Sequence, residues 1–334
     1  MEKIKNIDIP ISPVCLGTWV FGEKNRWGDK NEFDPFAVLT HAIAGGVNII
    51  DTAPAYGNGR SEQIVGEFLS KNKLRTKVVI ATKLGITWNG EKAFPNLKKK
   101  RMFQELDESR KRLSSDYIDL YQVHKPDFDT PIEQVAEVMH SFYRRGIIRA
   151  VGVSNFSLSQ INNFMKYCPL HCLQPKYSMF ERGIENDIIP FSLKYKIAII
   201  PYGILDCGFL TEKFICGDVP IAEKDIERIK KTNLENPFFS INKKTLINLK
   251  DIASQYNKTL AQLVINWTFT QKGIVSAIVG MRNMKHSQEN LGSMGWSISA
   301  HDMERIDRIL RCRIYKIKAI TLWQRCLKKI VRQT

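Results

Sequence analysis

Eight short runs of apolar, largely β-branched residues recur along this chain, and segments with helical spacing separate them. The runs are 13–18 (PVCLGT), 46–51 (GVNIID), 77–82 (KVVIAT), 117–124 (YIDLYQVH), 148–155 (IRAVGVSN), 171–177 (HCLQPKY), 197–203 (IAIIPYG) and 277–282 (AIVGMR). Strands that alternate with helices form a parallel sheet, because each parallel crossover needs a helix. Several runs are continuously apolar, as expected of strands covered on both faces. Eight such units predict a closed (β/α)8 TIM barrel. A doubly wound open sheet is the alternative. Against it, no GxGxxG opens a helix after the first run, and GNGRSE at 57–62 does not fit that pattern.

Helix starts are signalled by Asp34-Pro35, by Thr130-Pro131 with Glu133, by Ser157 with Gln160 and by Thr259 with Gln262. The stretch 206–243 is long and polar and is read as an insertion over one barrel face after the seventh strand. The expected organisation is a barrel over 1–310 and a basic amphipathic tail over 311–334.

Charge limits the partners. The chain has 334 residues and a net charge of +16, but its last 24 residues hold eight Lys/Arg and no Asp/Glu. Half of the excess is thus concentrated at one end, which argues against a nucleic-acid-binding surface over the whole protein. No apolar run reaches the length of about 18 residues that a membrane span needs. The start MEKIKNIDIPIS has no apolar signal core, so a cytoplasmic protein is expected. Seven scattered cysteines show no CxxC pair and no zinc spacing, and free thiols are expected, with no metal.

The polar residues cluster at the ends of the runs, where a barrel of this kind does its chemistry. The second ends at Asp51, the third at Lys83, the fourth at His124, the fifth at Ser154-Asn155, the sixth at Gln174 and the seventh at Tyr202. The eighth runs into Gly280 and Arg282, and Tyr56 lies just past Asp51. Singly, a strand-end Asp caps a helix, a Lys is a solvated charge and a Tyr is packing. Their joint occurrence at successive strand ends points elsewhere. A phenol with an ordinary pKa of about 10 is a weak acid, and a nearby ammonium lowers that value. A buried Asp keeps the Lys charged and placed, and a His beside the phenol orients a carbonyl oxygen or shares the proton. The set makes a general acid aimed at a carbonyl, suited to hydride addition.

GVNIIDTAPAYGNGRSEQIVG, YIDLYQVHKPD, AVGVSNFS and AIVGMRN stand in an order that resembles the aldo-keto reductases over residues 8 to 310. LGTWVFG, VHKPD, PIEQVAEVM and MFERGIENDIIPF look most like a bacterial branch typified by general stress protein 69 and the IolS-like reductases. The resemblance implies a barrel that binds NADPH without a Rossmann fold. It implies a catalytic tetrad of Asp51, Tyr56, Lys83 and His124, with Tyr56 as proton donor. It places Ser154, Asn155 and Gln174 on the nicotinamide carboxamide and Tyr202 against the ring. YGILDCGFLTEK matches the family loop after strand seven at Gly203, Leu205, Gly208, Leu210 and Lys213, with Glu212 in place of a glycine. Arg228 is aligned with a pyrophosphate-binding arginine. Gly280, Arg282, Glu289 and Asn290 match the adenosine-side pattern, while His286 stands where Arg or Gln is usual. A neutral His cannot grip a phosphate bidentately as Arg does, so NADH is kept open as an alternative donor. Trp19 is expected at both cofactor and substrate, Tyr56 and His124 at the substrate, and Trp27 and Trp88 at an aromatic mouth.

After residue 308 the chain leaves the family pattern. At about 100° per residue, Ile317, Ile320, Trp323, Leu327, Ile330 and Val331 share one helix face, with Lys318, Arg325, Lys329 and Arg332 opposite. A helix packed on the barrel or on a second subunit is the plain reading; contact with an anionic membrane is the sharper one. The expected function is NADPH-dependent reduction of a small carbonyl substrate. The alternatives are a cofactor-binding regulator similar to potassium-channel β subunits, and a barrel without turnover kept for its tail.

Overall fold

In the computed structural model, which describes residues 3–22, 33–90, 92–216 and 235–331, all eight expected runs are strands. They are β1 (Val14–Gly17), β2 (Ile49–Asp51), β3 (Val79–Leu84), β6 (Ile118–Val123), β7 (Ile148–Ser154), β8 (Cys172–Gln174), β9 (Ala198–Ile199) and β10 (Ala277–Gly280). Every pairing is parallel, in the order β10-β1-β2-β3-β6-β7-β8-β9. The barrel closes between β9 and the segment before β10. There Ile199 bridges Ile274 in parallel, and the Ile278 N–H donates to the Pro201 carbonyl at 3.0 Å.

Two apolar layers follow from the alternation of strand side chains. Inward residues such as Cys15, Ile49, Val79, Leu120, Ala150 and Cys172 fill the barrel. Ile4, Ile7 and Ile11 join that cluster and plug the end where the strands begin. Each buried isoleucine is worth about 1.5–3 kcal/mol over leaving it exposed. Outward residues meet the helices in a larger cluster.

The helices are α1 (Pro35–Ala44), α2 (Arg60–Lys71), α3 (Lys99–Arg112), α4 (Ile132–Arg144), α5 (Leu158–Met165), α6 (Ile188–Tyr195), α7 (Glu212–Cys216), α8 (Phe238–Gln255), α9 (Leu260–Phe269), α10 (Met284–Leu291) and α11 (Ala300–Val331). Three of the four expected starts form. Asp34 accepts from the N–H groups of Phe36 and Ala37, and both the Ser157/Gln160 and Thr259/Gln262 capping boxes close. The fourth differs: α4 begins after Pro131 with no side-chain cap. The Thr130 hydroxyl donates to Asp127 at 2.9 Å, and Glu133 accepts from Asn163 at 2.6 Å, so both groups are engaged elsewhere.

Two features go beyond the expected outline. A hairpin, β4 (Ile86–Asn89) and β5 (Lys92–Pro95), follows β3 and carries Trp88. Gly90, at φ 59°, opens its turn after Asn89, the last paired residue of β4. Of the stretch 206–243, Phe209, Leu210 and Phe214 are buried in the core and residues 238–243 belong to α8, while 217–234 lie outside the described residues. Arg228 and Trp27 lie outside the described residues. Helix α11 runs unbroken across residues 310 and 311. It lies antiparallel to α8: Arg305 donates to Gln255 at 3.1 Å and Arg313 to Asn242 at 2.7 Å. Among the described residues no helix is long and apolar enough to cross a membrane. Cys15, Cys168, Cys172, Cys207 and Cys312 are free thiols.

Candidate active site

Asp51 is the last residue of β2 and Lys83 the last but one of β3, and their side chains meet inside the barrel. The Lys83 ammonium donates to Asp51 Oδ1 at 2.6 Å, to the Thr52 carbonyl at 3.0 Å and to the Tyr56 hydroxyl at 3.0 Å. Gln174 Nε2 donates to Asp51 Oδ2 at 2.7 Å, so both carboxylate oxygens are engaged. Lys83 is 1% exposed and Asp51 is buried with it. An isolated charge at that depth would be strongly disfavoured, and the ion pair with Lys83 offsets that cost.

Tyr56 reaches the pair from the β2–α2 loop. Two glycines hold it there. A Cβ on Gly22 would collide with the Tyr56 backbone, and one on Gly57, at φ 62°, would collide with Gly22. The His124 ring lies edge-on to the phenol with centroids 6.0 Å apart, one residue past β6. The expected tetrad is therefore one cluster.

Burial alone would lower the Lys83 pKa, but the Asp51 carboxylate and the Tyr56 hydroxyl more than offset it and raise it above the ordinary lysine value. Desolvation raises the Tyr56 pKa, and the Lys83 charge only partly counters that. This corrects the sign expected from the ammonium alone: the phenol holds its proton more firmly than a free tyrosine. Burial, with Lys83 and Lys125 adding repulsion, lowers His124 to about 3, so the imidazole is neutral near pH 7.

A second chain of contacts continues the site. Ser154 Oγ donates to the Gln174 carbonyl at 2.8 Å. Asn155 Nδ2 donates to the His124 carbonyl at 3.0 Å, and the Tyr202 hydroxyl donates to Asn155 Oδ1 at 2.6 Å. Asn155 sits at φ 62°, which turns its amide across the strand ends. Beyond Tyr202, Gly203 and Gly208 have positive φ, and Leu205 is half-buried in the same turn. Leu210 is wholly buried, so its side chain is core, and Lys213 is exposed on α7. On the far side Gly280 ends β10 in open space, and Asn290 Nδ2 ties α10 to its carbonyl at 3.2 Å. Arg282, His286 and Glu289 are half-buried at or on α10, whose first turn Asn283 caps through the His286 N–H. Trp19 is half-buried and Trp88 is 40% exposed.

Sequence reasoning missed Gln122. It pairs in register with Lys83 and Gly152, in the inward layer of the tetrad, and is fully buried. Neither atom of its amide has a hydrogen-bond partner among the described residues. Its place two residues before His124, in step with the inward pattern of β6, was the available signal.

The Aldo/keto reductase family model matches residues 13–311, and the chain belongs to that family. It is 37% identical over 309 residues to aldo-keto reductase YhdN of Bacillus subtilis (strain 168), covering 92% of each chain. That protein is a member of the bacterial branch expected from the segments. The chain is 31% identical to the NADH-specific methylglyoxal reductase of Escherichia coli (strain K12), covering 90% of this chain and 96% of that one. It is 30% identical to a rice (Oryza sativa subsp. japonica) protein named "Probable voltage-gated potassium channel subunit beta", covering 85% and 88%. Among solved structures it superposes on a glycerol dehydrogenase from Gluconobacter oxydans with a TM-score of 0.85 at 34% identity, covering 93% and 95%. An aldo-keto reductase from Klebsiella pneumoniae in complex with NADPH has a TM-score of 0.70 at 23% identity, covering 92% and 96%, a likeness of fold alone. The protein is thus an oxidoreductase acting on carbonyl compounds.

Proposed function

We propose that this protein reduces small aldehydes or ketones to alcohols with NADPH, and that Tyr56 is the general acid. The observation that carries the reading is the Lys83 ammonium, bonded at once to Asp51 and to the Tyr56 hydroxyl. The donor set suits the cofactor. Ser154, Asn155 and Gln174 offer hydroxyl and amide groups for a carboxamide, and Tyr202, bonded to Asn155, offers a flat ring. Arg282 and Lys213 supply cations toward phosphate, and the open space at Gly208 and Gly280 lets backbone approach a ligand.

A bound reduced nicotinamide supplies the hydride. The chain's own residues handle the proton. Tyr56, kept protonated by desolvation, donates to the substrate oxygen as negative charge develops there. Lys83 stays cationic because Asp51 holds it so, and it stabilises the phenolate left behind. Neutral His124 hydrogen-bonds the same oxygen and orients it. Trp19 and Trp88 offer apolar surface for the substrate.

The test is NADPH oxidation with a generic aromatic aldehyde, wild type beside Tyr56→Phe. The variant is expected to lose about 10²–10⁴-fold in rate, the usual size of a general-acid contribution. Equal slow rates in both would overturn the role of Tyr56 and favour a cofactor-binding regulator, the reading that the rice relative supports. NADH as donor is the second question, supported by His286 and by the NADH-specific relative. The ratio of the two dissociation constants decides it, and a large preference for NADPH removes NADH.

A further inference from the structure

We propose that the outer half of α11 docks on the surface of an anionic lipid bilayer. This helix has two apolar faces, and the fold uses only one. Arg313 is buried, bonded to Asn242 and 3.6 Å from the Phe180 ring centroid, and Ile314, Ile317 and Ile320 are half-buried on the same side. The other side is bare: Tyr315 is 70% exposed, Leu322 64% and Trp323 64%. At about 100° per residue, Tyr315 and Leu322 lie about 20° apart and Trp323 about 80° further round, so the three share one broad side of the helix. The partner helix α8 begins only four residues before Asn242, whereas α11 continues for 18 residues past Arg313.

Charge selects the occupant. Lys316 and Lys318 are exposed beside the bare stripe, and the last 24 residues carry eight Lys/Arg with no acid. A second copy of this chain docking on the same face would set like charges against each other. Nucleic acid would take the charge but leave Leu322 in water. A bilayer with anionic headgroups offers negative charge above an apolar layer, and a helix lying in that interface buries its apolar face about 5–10 Å deep. Tyr and Trp are the side chains that favour such a boundary. The inference is independent of the proposed reductase chemistry.

The experiment is sedimentation of the full chain with neutral phosphatidylcholine vesicles and with vesicles containing about one third phosphatidylglycerol. Binding is expected to the anionic vesicles only and to weaken at about 0.5 M salt, where screening is short-ranged. The double variant Leu322→Ser/Trp323→Ser should bind at least about 10-fold less, given the apolar area lost, with an unchanged melting temperature. No preference for anionic vesicles, or equal binding by the variant, overturns the proposal. So does a dimer in vesicle-free buffer that the variant abolishes, or binding of duplex DNA in preference to vesicles.

Discussion

Strand β3 carries a buried charge cluster on each of its faces, and the two are built differently. Inward, Lys83 meets Asp51, whose two oxygens accept from Lys83 and Gln174 at 2.6 and 2.7 Å. Outward, Thr82 donates to Glu62 at 2.6 Å, and Arg112 closes on the same carboxylate at 2.7 Å. Glu105 lies beside them. One of its oxygens accepts from the Gly85 N–H at 2.8 Å, but the other has no hydrogen bond among the described residues, with Arg101 only as near as 3.6 Å. Burial pushes Glu105 up to about 7 and raises Glu62 as well. Desolvation raises both outward carboxylates, and Glu105, with one oxygen left without a donor among the described residues, has the least to hold it as an anion. The saturated cluster faces the mouth, and the half-satisfied one faces the helices.

Breaking the saturated side should have the largest effect. In Asp51→Asn the Lys83 ammonium loses its counter-charge while its burial remains. Removing one member of a buried pair costs about 3–5 kcal/mol, and a melting curve reads that loss. The causes that hold the Lys83 pKa high are led by Asp51, so the variant's lysine gives up its proton more readily. Turnover near neutral pH should fall by about 10²–10⁴-fold and recover in part as pH is lowered. A rate that stays near wild type would detach Asp51 from the proton-transfer machinery.

The contrast between the two clusters was unequally legible in the sequence. The alternation of runs predicted the barrel, and the strand-end inventory placed Asp51, Lys83 and His124, because strand ends are local. Glu62 lies within a recognised segment, yet nothing local marks it as buried. Its neighbours Ser109 and Arg112 come from a helix about 50 residues away in sequence, and only the packing of α2 on α3 brings them together. The sign of the Tyr56 shift failed for the same reason: Lys83 was visible, the desolvation was not. On α11 the periodicity put Trp323 with Ile317 and Ile320. The helix turns the two isoleucines toward the body and Trp323 outward, because Arg313 sets its rotation by seating on Phe180 and Asn242.

The outward cluster can be sharpened through its pH dependence. Glu105 faces Gly85, Arg101, Glu62, Arg112 and Tyr121. Its folded pKa of about 7 lies above the unfolded value of 4.5, so the folded state binds the proton more tightly. The stabilising contribution is full below pH 4.5 and is lost as pH rises through 7, by about 3 kcal/mol. Glu105→Gln keeps an oxygen for the Gly85 N–H and cannot ionise. Its stability, from denaturant titrations at several pH values, should exceed wild type above pH 7 and flatten between 4.5 and 7. Glu62, also raised, leaves a residual slope. An unchanged slope would mean that Glu105 ionises normally.

The smallest expected effect concerns Gln122, which belongs by register to the inward layer but whose amide has no hydrogen-bond partner among the described residues. A buried amide without partners costs about 1–3 kcal/mol, so an apolar residue of similar length should fit better. Gln122→Leu is therefore expected to raise the melting temperature, with Gly152 opposite it supplying room because a Cβ there would press on the Gln122 side chain. If turnover is unaffected, the tetrad is complete without this amide, and the inward cluster ends at Asp51, Lys83, Tyr56 and Gln174. If stability rises while turnover falls, the unpaired amide is strain kept for the reaction, and the inward face of β3 and β6 carries a second polar group that acts on the site. A drop in stability would show instead that the amide is satisfied in solution.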